Sequence, residues 1–277
     1  FMFLFVKSVK LLLFLWKKNK VNVEVFFTGG LGNQMMSLMA LKYLNKIGLK
    51  TSVNLEYFDN LDLRKILNSR NLSTYDWELE DYLGIKKDSL NFNGKPNSKI
   101  KKFQLKDGII KLFLALEGSK DKNILSSIEF CCNDPNILLE SNLLEPYICV
   151  HVRRGDYLNV ASFILPIQTS FSLVKRFLNI CKTVVILSDG QISAENVNYL
   201  YSIGFERVKV ISSGSPIKAH TIMRNSKILI TSNSQFSYSA ALVSNSICFI
   251  PKKWYGGFKH FMLQKLLLSR SQEFIIL

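Results

Sequence analysis

Tyr147-Ile148-Cys149-Val150-His151-Val152-Arg153-Arg154-Gly155-Asp156 is the stretch on which the reading of this chain turns. It begins as a short, continuous apolar run, the pattern of a strand buried on both faces and so of a parallel sheet. It ends by setting two guanidiniums, an imidazole and a carboxylate where that strand stops. α/β folds hold their ligands at the C-terminal edge of the sheet, and arginine grips phosphate through a planar fork of donors that stays charged at any working pH. Such an edge suits a sugar-diphosphate. The same residues also fit a solvated turn after a strand.

Two further segments bear on the choice. Val23-Glu24-Val25-Phe26-Phe27-Thr28 reads as a strand, and Gly29-Gly30-Leu31-Gly32-Asn33-Gln34-Met35 opens from it into a helix running to about Ile47. A glycine-rich turn lets backbone amides point at an anion, although such turns also occur simply to pack a helix closely on a sheet. Lys227-Ile228-Leu229-Ile230-Thr231 is another strand, and Ser232-Asn233-Ser234-Gln235-Phe236-Ser237-Tyr238-Ser239-Ala240-Ala241 enters a helix from it. Small hydroxyl and amide residues at a helix N-terminus seat phosphate, with plain N-capping the simpler role for any one serine.

The carboxy-terminal half has a firm rhythm. Strands over 147–152, 183–188, 207–211, 227–231 and 246–250 alternate with helical patterns over 167–181, 194–203, 216–225, 236–244 and 258–269. Strand then helix, repeated, predicts a parallel sheet with right-handed crossovers. The amino-terminal half is a looser α/β pattern. It has a second strand over 51–55, a polar and lysine-rich run over 81–107 that reads as a surface insertion, and an apolar segment of open type over 109–116. Asp134-Pro135-Asn136 and Glu145-Pro146 bracket the connection between the halves.

In order and wording these segments resemble the α-1,2-fucosyltransferases of glycosyltransferase family 11, a group that includes bacterial enzymes of surface-glycan synthesis. The family's GGLGNQM turn stands here as Gly29 to Met35, its HxRRGDY segment as His151 to Tyr157, its SDD-like strand end as Ser188-Asp189-Gly190, and its SNSxFSWWAA segment as Ser232 to Ala241. The likeness runs from about Val23 to Trp254. The chain departs from the pattern at Gly190 (the second aspartate), at Tyr238 and Ser239 (the paired tryptophans), and at Ala219 beside His220, where the family tends to carry an acidic residue.

The resemblance implies an α/β, GT-B-like fold, two Rossmann-like domains facing across a cleft. An extension over 1–20 would precede an acceptor-side domain over 21–143 and a nucleotide-sugar-binding domain over 144–277. It implies an inverting, metal-independent transfer of L-fucose from GDP-fucose to a galactoside hydroxyl in α-1,2 linkage, with no cofactor besides the donor substrate. The departures keep two alternatives open: a related transferase with another nucleotide-sugar, and a catalytically inactive relative that binds a glycan or a membrane.

An inverting transfer breaks the bond between the anomeric carbon and the β-phosphate, so stabilising the charge on the departing diphosphate is the main task. The resemblance implies Arg153 as the phosphate clamp. Arg154 shares that duty or holds Asp156 by an ion pair. Alternation along an extended segment puts His151 and Arg153 on one side, the pair expected to face the ligand. Asp156 is a general base or a loop anchor, and His151 competes for the base role or gives a second phosphate donor. Ser188 and Asp189 end a strand on the ligand edge, where the aspartate accepts from the guanine N–H edge or caps the helix that begins near Ser193. Ser234, Phe236 and Ser237 are expected to line the phosphates and pack the nucleoside, and Asn233 to fix the loop. From the other domain, Gly30, Gly32, Asn33 and Gln34 are expected to close over the diphosphate.

Composition agrees with an enzyme of this size. The 277 residues are 48% hydrophobic, ample for a large core or two smaller ones. A net charge of +15 asks for an anionic partner. Its lysines are scattered, with no zinc-finger spacing and no RNA-recognition aromatic signature, so nucleic acid is the weaker candidate beside a nucleotide-sugar or an anionic membrane surface. The five cysteines form no framework and no metal spacing, which favours a reducing compartment and argues against a metal site. Residues 1–16 are apolar but interrupted by Lys7 and Lys10, short for a spanning helix; an interfacial amphipathic anchor and a segment packed on the first domain both fit. The expected location is cytoplasmic, peripheral at the inner face of a bacterial membrane, with a membrane-anchored enzyme as the alternative. The expected acceptor is an oligosaccharide or lipid-linked glycan.

Overall fold

The computed structural model of the chain describes residues 13–14, 21–60, 62, 75–90, 102–106, 108–131, 134–159, 164–212, 214–251 and 274–276. The chain forms two compact units, Phe1–Cys132 and Asn133–Leu277. The extension over 1–20 and the helix expected over 258–269 lie almost wholly outside the described residues. No described helix is long and apolar enough to cross a membrane.

In the first unit, β1 (Asn22–Phe26) runs between β2 (Lys50–Asn54) and β3 (Lys102–Leu105), parallel to both. Helix α1 (Leu31–Lys46) follows β1 and touches β1, β2 and α2 (Gly108–Ser119) at once, so its residues 31–41 are buried on nearly every side. That explains an apolar pattern with no polar face over those turns. Gly118 permits the crossing of the two helices, since a Cβ there would stand 3.1 Å from the Met39 carbonyl oxygen.

The run over 81–107 is corrected here. It is no mere surface insertion: it carries β3, and the helix Leu79–Leu83 that overlaps its start buries Leu79 and Tyr82 completely. Lys102-Phe103-Gln104-Leu105 has only Leu105 fully buried and reads as polar loop by composition. Pairing with β1, helped by an ion pair from Lys102 to the buried Glu24, makes it a strand where propensity does not.

The second unit contains a six-stranded parallel sheet. Its strands are β4 (Tyr147–Val152), β5 (Thr183–Ser188), β6 (Arg207–Ser212), β7 (Ile228–Ile230), β8 (Ile247–Ile250) and β9 (Phe274–Ile276), in the spatial order β6-β5-β4-β7-β8-β9. The chain starts in the middle at β4, moves outward through β5 and β6, then returns to the other flank of β4 with β7. This is the doubly wound order, and its switch point lies between β4 and β7. Alternation along β4 sends Ile148, Val150 and Val152 into one core, with Phe171, Val174 and Leu200, and Tyr147 and Cys149 into another, with Ile222, Met223 and Ala240.

The boundary between the units falls after Cys132 rather than at 143, because α3 (Asp134–Glu140) belongs to the second unit. Asp134 accepts from Arg224 Nη2 at 2.5 Å and Asn225 Nδ2 at 3.1 Å, while Ile137 and Leu138 pack on the second core. Helices α4 (Ile167–Val174), α5 (Ala194–Ser202), α6 (Pro216–Arg224) and α7 (Gln235–Leu242) fill the expected crossovers. β9 was not expected.

Candidate functional site

At the switch point of the second unit, β4 delivers Val152, and the chain then turns through Arg153, Arg154 and Gly155. Asp189, one residue past β5, binds this turn with both carboxylate oxygens. Oδ2 pairs with Arg153 Nη1 at 2.5 Å, and Oδ1 accepts from the Arg154 backbone N–H at 2.5 Å. Asp189 is therefore an anchor of the arginine turn, and neither alternative read from the sequence describes these bonds: Ser193 is the residue that caps α5. Ser188 likewise turns inward, its Oγ accepting from the Gly190 N–H at 3.1 Å.

Arg153 has a second support. Its Cζ lies 5.3 Å from the centroid of the Tyr157 ring, a cation–π contact, and the Tyr157 hydroxyl donates to the Asn233 carbonyl at 3.4 Å. Tyr157 thus ties the end of β4 to the loop after β7. Arg154 differs: its guanidinium makes no hydrogen bond or ion pair among the described residues, and the side chain is only partly buried. The side chain of Asp156 lies outside the described residues.

His151 does not stand open beside Arg153. It is 7% exposed, its Nδ1 lies 2.8 Å from Ser232 Oγ, and its ring meets Phe236 edge-on at 5.8 Å. Burial, with the Arg153 charge adding to it, holds its pKa down to about 3. The imidazole is neutral at neutral pH and a weak proton acceptor, better suited to an N–H donor or a spacer than to the base role.

The loop after β7 is a knot of hydroxyls. Ser234 caps α7, its Oγ accepting from the Phe236 N–H at 3.3 Å. Ser237 is fully buried and within reach of the Ser232 and Ser234 carbonyls at 3.4 and 3.3 Å, so its hydroxyl builds the loop and is withdrawn from any ligand. Asn233 is buried, as expected of a loop fixer. Phe236 sits between two histidine rings, His151 at 5.8 Å and His220 at 5.7 Å. His220 is fully buried, with its pKa also down to about 3 from burial and then the Arg224 charge. Ser239 Oγ donates to the Phe236 carbonyl at 2.8 Å, so it accepts from His220 Nε2 at 3.1 Å. The departure at Ser239 is therefore bonded to the neighbour of the departure at Ala219.

The first unit has its own ligand edge, where β1 ends. Gly29 adopts φ +73°, which its lack of a Cβ allows, and Gly30 lies so close to Tyr75 that a Cβ would stand 2.8 Å from the ring. Gln34 is fully buried and spends its amide on structure. Nε2 donates to the Gly29 carbonyl at 2.9 Å and the Asp76 carbonyl at 2.8 Å, and Oε1 accepts from the Glu78 N–H at 2.9 Å. Gly32 is buried in the first turn of α1; only Gly30 and Asn33 of the expected quartet remain partly open. Glu78 is a site residue that no sequence motif marks. Its carboxyl takes a hydrogen bond from the Leu31 N–H, its Oε2 is buried without a partner, and its pKa is raised to about 7, chiefly by burial, with the Asp76 charge adding and the Leu31 bond opposing. Among the described residues no group of three or more His, Cys, Asp and Glu could hold a metal ion.

The second unit is thus a doubly wound α/β domain whose switch point carries paired arginines beside a serine-capped helix, the place where such folds hold anionic ligands. The profile of glycosyl transferase family 11 matches residues 57–264, more than half of the chain, and the chain belongs to that family. No curated protein matches it. Among solved structures it is similar to POFUT1 in complex with GDP-fucose, at 10% identity and a TM-score of 0.48 over 82% of this chain and 97% of that one. It is also similar to the glycosyl transferase family 9 structure from Veillonella parvula, at 11% identity and a TM-score of 0.48 over 94% and 87%. A third is the fucosyltransferase NodZ from Bradyrhizobium, at 12% identity and a TM-score of 0.44 over 81% and 93%.

Proposed function

We propose that the chain is a fucosyltransferase that moves L-fucose from GDP-fucose to a galactoside hydroxyl with inversion, forming an α-1,2 linkage in a surface glycan. The observation that carries this reading is the turn at the switch point, where Arg153 and Arg154 follow β4 beside the capped start of α7 after β7. Membership of family 11 and the motif resemblance support the choice of donor.

In this reading the acceptor oxygen attacks the anomeric carbon and the bond to the β-phosphate oxygen breaks. The electron pair leaves with GDP, and the hydroxyl proton passes to Asp156. The arginine turn stabilises the leaving diphosphate, supplying the charge that a metal gives in other transferases, and the N-terminus of α7 adds its dipole. The net charge of +15 supports an acceptor carried at an anionic membrane surface, and so work at the inner face of a bacterial membrane.

The test is turnover of GDP-fucose, GDP-mannose, UDP-galactose and CMP-sialic acid on a β-galactoside in the presence of a chelator, with the product linkage assigned by NMR. An α-1,2-fucosylated product from GDP-fucose is expected. Use of another donor in its place would make the chain a transferase of different specificity, and tight GDP binding with no turnover on any acceptor would make it an inactive relative.

A further inference from the structure

Two glycines face the arginine turn, and each leaves room for a different atom. A Cβ at Gly155 would stand 2.5 Å from Asp189 Oδ2, the oxygen that pairs with Arg153. A Cβ at Gly190 would stand 2.6 Å from the Cβ of Arg154 and 3.2 Å from its Cγ. Real Cβ atoms essentially never approach a neighbour closer than 3.0 Å, so any side chain at 190 moves the stem of Arg154. The turn is therefore set by two separate contacts. Asp189 fixes Arg153 by an ion pair and the Arg154 backbone by a hydrogen bond, while the empty space at 190 receives the Arg154 side chain itself.

We propose that Asp189 and Gly190 are positioning residues, Asp189 for the Arg153 guanidinium and the Arg154 backbone and Gly190 for the Arg154 side chain, and that the lack of a side chain at 190 determines whether the switch point presents its second guanidinium to the ligand. A chain with a carboxylate at 190 would displace Arg154 and place an anion beside it, and would present Arg153 alone. This chain keeps both cations, one tied to Asp189 and Tyr157 and the other without a partner among the described residues. The inference rests on the reading that this turn binds a nucleoside diphosphate, and it names which groups set the affinity.

The experiment is a pair of double-mutant cycles on GDP affinity by calorimetry, at several salt concentrations. In the first, Gly190→Ala and Arg154→Gly each weaken GDP by about tenfold, and the double variant is no weaker than Arg154→Gly alone, because neither the guanidinium nor the Cβ that residue 190 would strike is left. The second joins Asp189→Asn with Arg153→Ala, and the same non-additivity is expected. Across the cycles, Gly190→Ala with Arg153→Ala multiplies the two losses. Gly190→Asp exceeds Gly190→Ala and flattens the salt dependence. A Gly190→Ala loss that is undiminished in the Arg154→Gly background, or no loss at all, overturns the assignment of residue 190; an undiminished Asp189→Asn loss without Arg153 overturns that of Asp189.

Failure of wild-type protein to bind GDP would sink the functional reading alone. The device is then read from urea unfolding, where Gly190→Ala is destabilising beside any residue 154 that carries a Cβ and is relieved by Arg154→Gly. Equal destabilisation in the Arg154→Gly background contradicts it.

Discussion

His151 Nδ1 and Ser232 Oγ lie 2.8 Å apart, joining the penultimate residue of β4 to the loop that follows β7. The bond spans the switch point and is buried, so beyond the β4–β7 ladder it joins the Tyr157–Asn233 contact in holding the arginine turn to the loop that starts α7. It also fixes the imidazole where burial and Arg153 keep it neutral.

That neutrality sets the pH dependence of the second unit. His151 and His220 both have folded pKa values near 3, below the free value of 6.5, so the unfolded chain binds more protons between those limits. Stability is fully present above about pH 6.5 and falls as pH drops from there toward 3. At pH 5.5 each histidine costs roughly 1–1.5 kcal/mol relative to pH 8. Glu78 has the opposite sign, its raised pKa lowering the stability of the first unit as pH rises from 4.5 to about 7. Hydrogen exchange, corrected for intrinsic rates, should show peptides from 147–152 losing protection at pH 5.5 and peptides from 31–46 gaining it. Parallel behaviour of both peptides would contradict these assignments.

Ser232→Ala leaves His151 buried without its hydroxyl partner. The expected loss is about 1–3 kcal/mol in urea unfolding, larger than that for Ser234→Ala, which removes only a cap from α7 and costs about 1 kcal/mol. Equal losses would mean that the His151 bond is not the stronger tie.

Gln34→Leu keeps an apolar side chain at a fully buried site but strips three hydrogen bonds from the Gly29, Asp76 and Glu78 backbones. The first unit should lose roughly 2–4 kcal/mol, since the orphaned groups pay their desolvation. Gln34→Glu, which turns a carboxylate oxygen toward the Gly29 and Asp76 carbonyls at a fully buried site, should cost at least as much at neutral pH. A neutral Gln34→Leu would return Gln34 to the ligand-binding role expected from the sequence.

Arg153→Lys keeps the charge at the end of β4 but loses the fork that meets Asp189 while facing Tyr157. In donor hydrolysis, kcat/KM is expected to fall at least tenfold, and Arg153→Ala to fall further. Near-wild-type turnover in Arg153→Ala would remove Arg153 from the phosphate site.

Much of the second unit was legible because its strands are unbroken apolar runs and its crossovers have helical period; β4 and β5 match the expected 147–152 and 183–188 to the residue. β3 was not, because a four-residue edge strand with lysine and glutamine in it has the composition of a loop. At the site, residue types showed where a ligand would sit but not how they divide the work. Nothing in Ser-Asn-Ser-Gln-Phe-Ser says that Ser237 turns inward while Ser234 caps, since both fit any serine near a helix start. Alternation put His151 with Arg153, yet the strand ends at Val152, and past that point the pleat no longer decides which way a side chain faces. Tyr157 stood in the quoted motif and was given no role; a ring four residues after an arginine was the available signal. For Glu78 there was none, because its burial depends on the distant Gly30–Leu31 turn.

The central claim is that the Arg153–Arg154 turn at the switch point binds the guanosine diphosphate end of the donor. Calorimetry of GDP beside UDP, ADP and CMP, with Arg153→Ala as control, addresses it directly. The account predicts that GDP binds at least tenfold more tightly than the other three and that Arg153→Ala weakens GDP at least tenfold. Equal binding of all four nucleotides, or GDP affinity unchanged in Arg153→Ala, would contradict it.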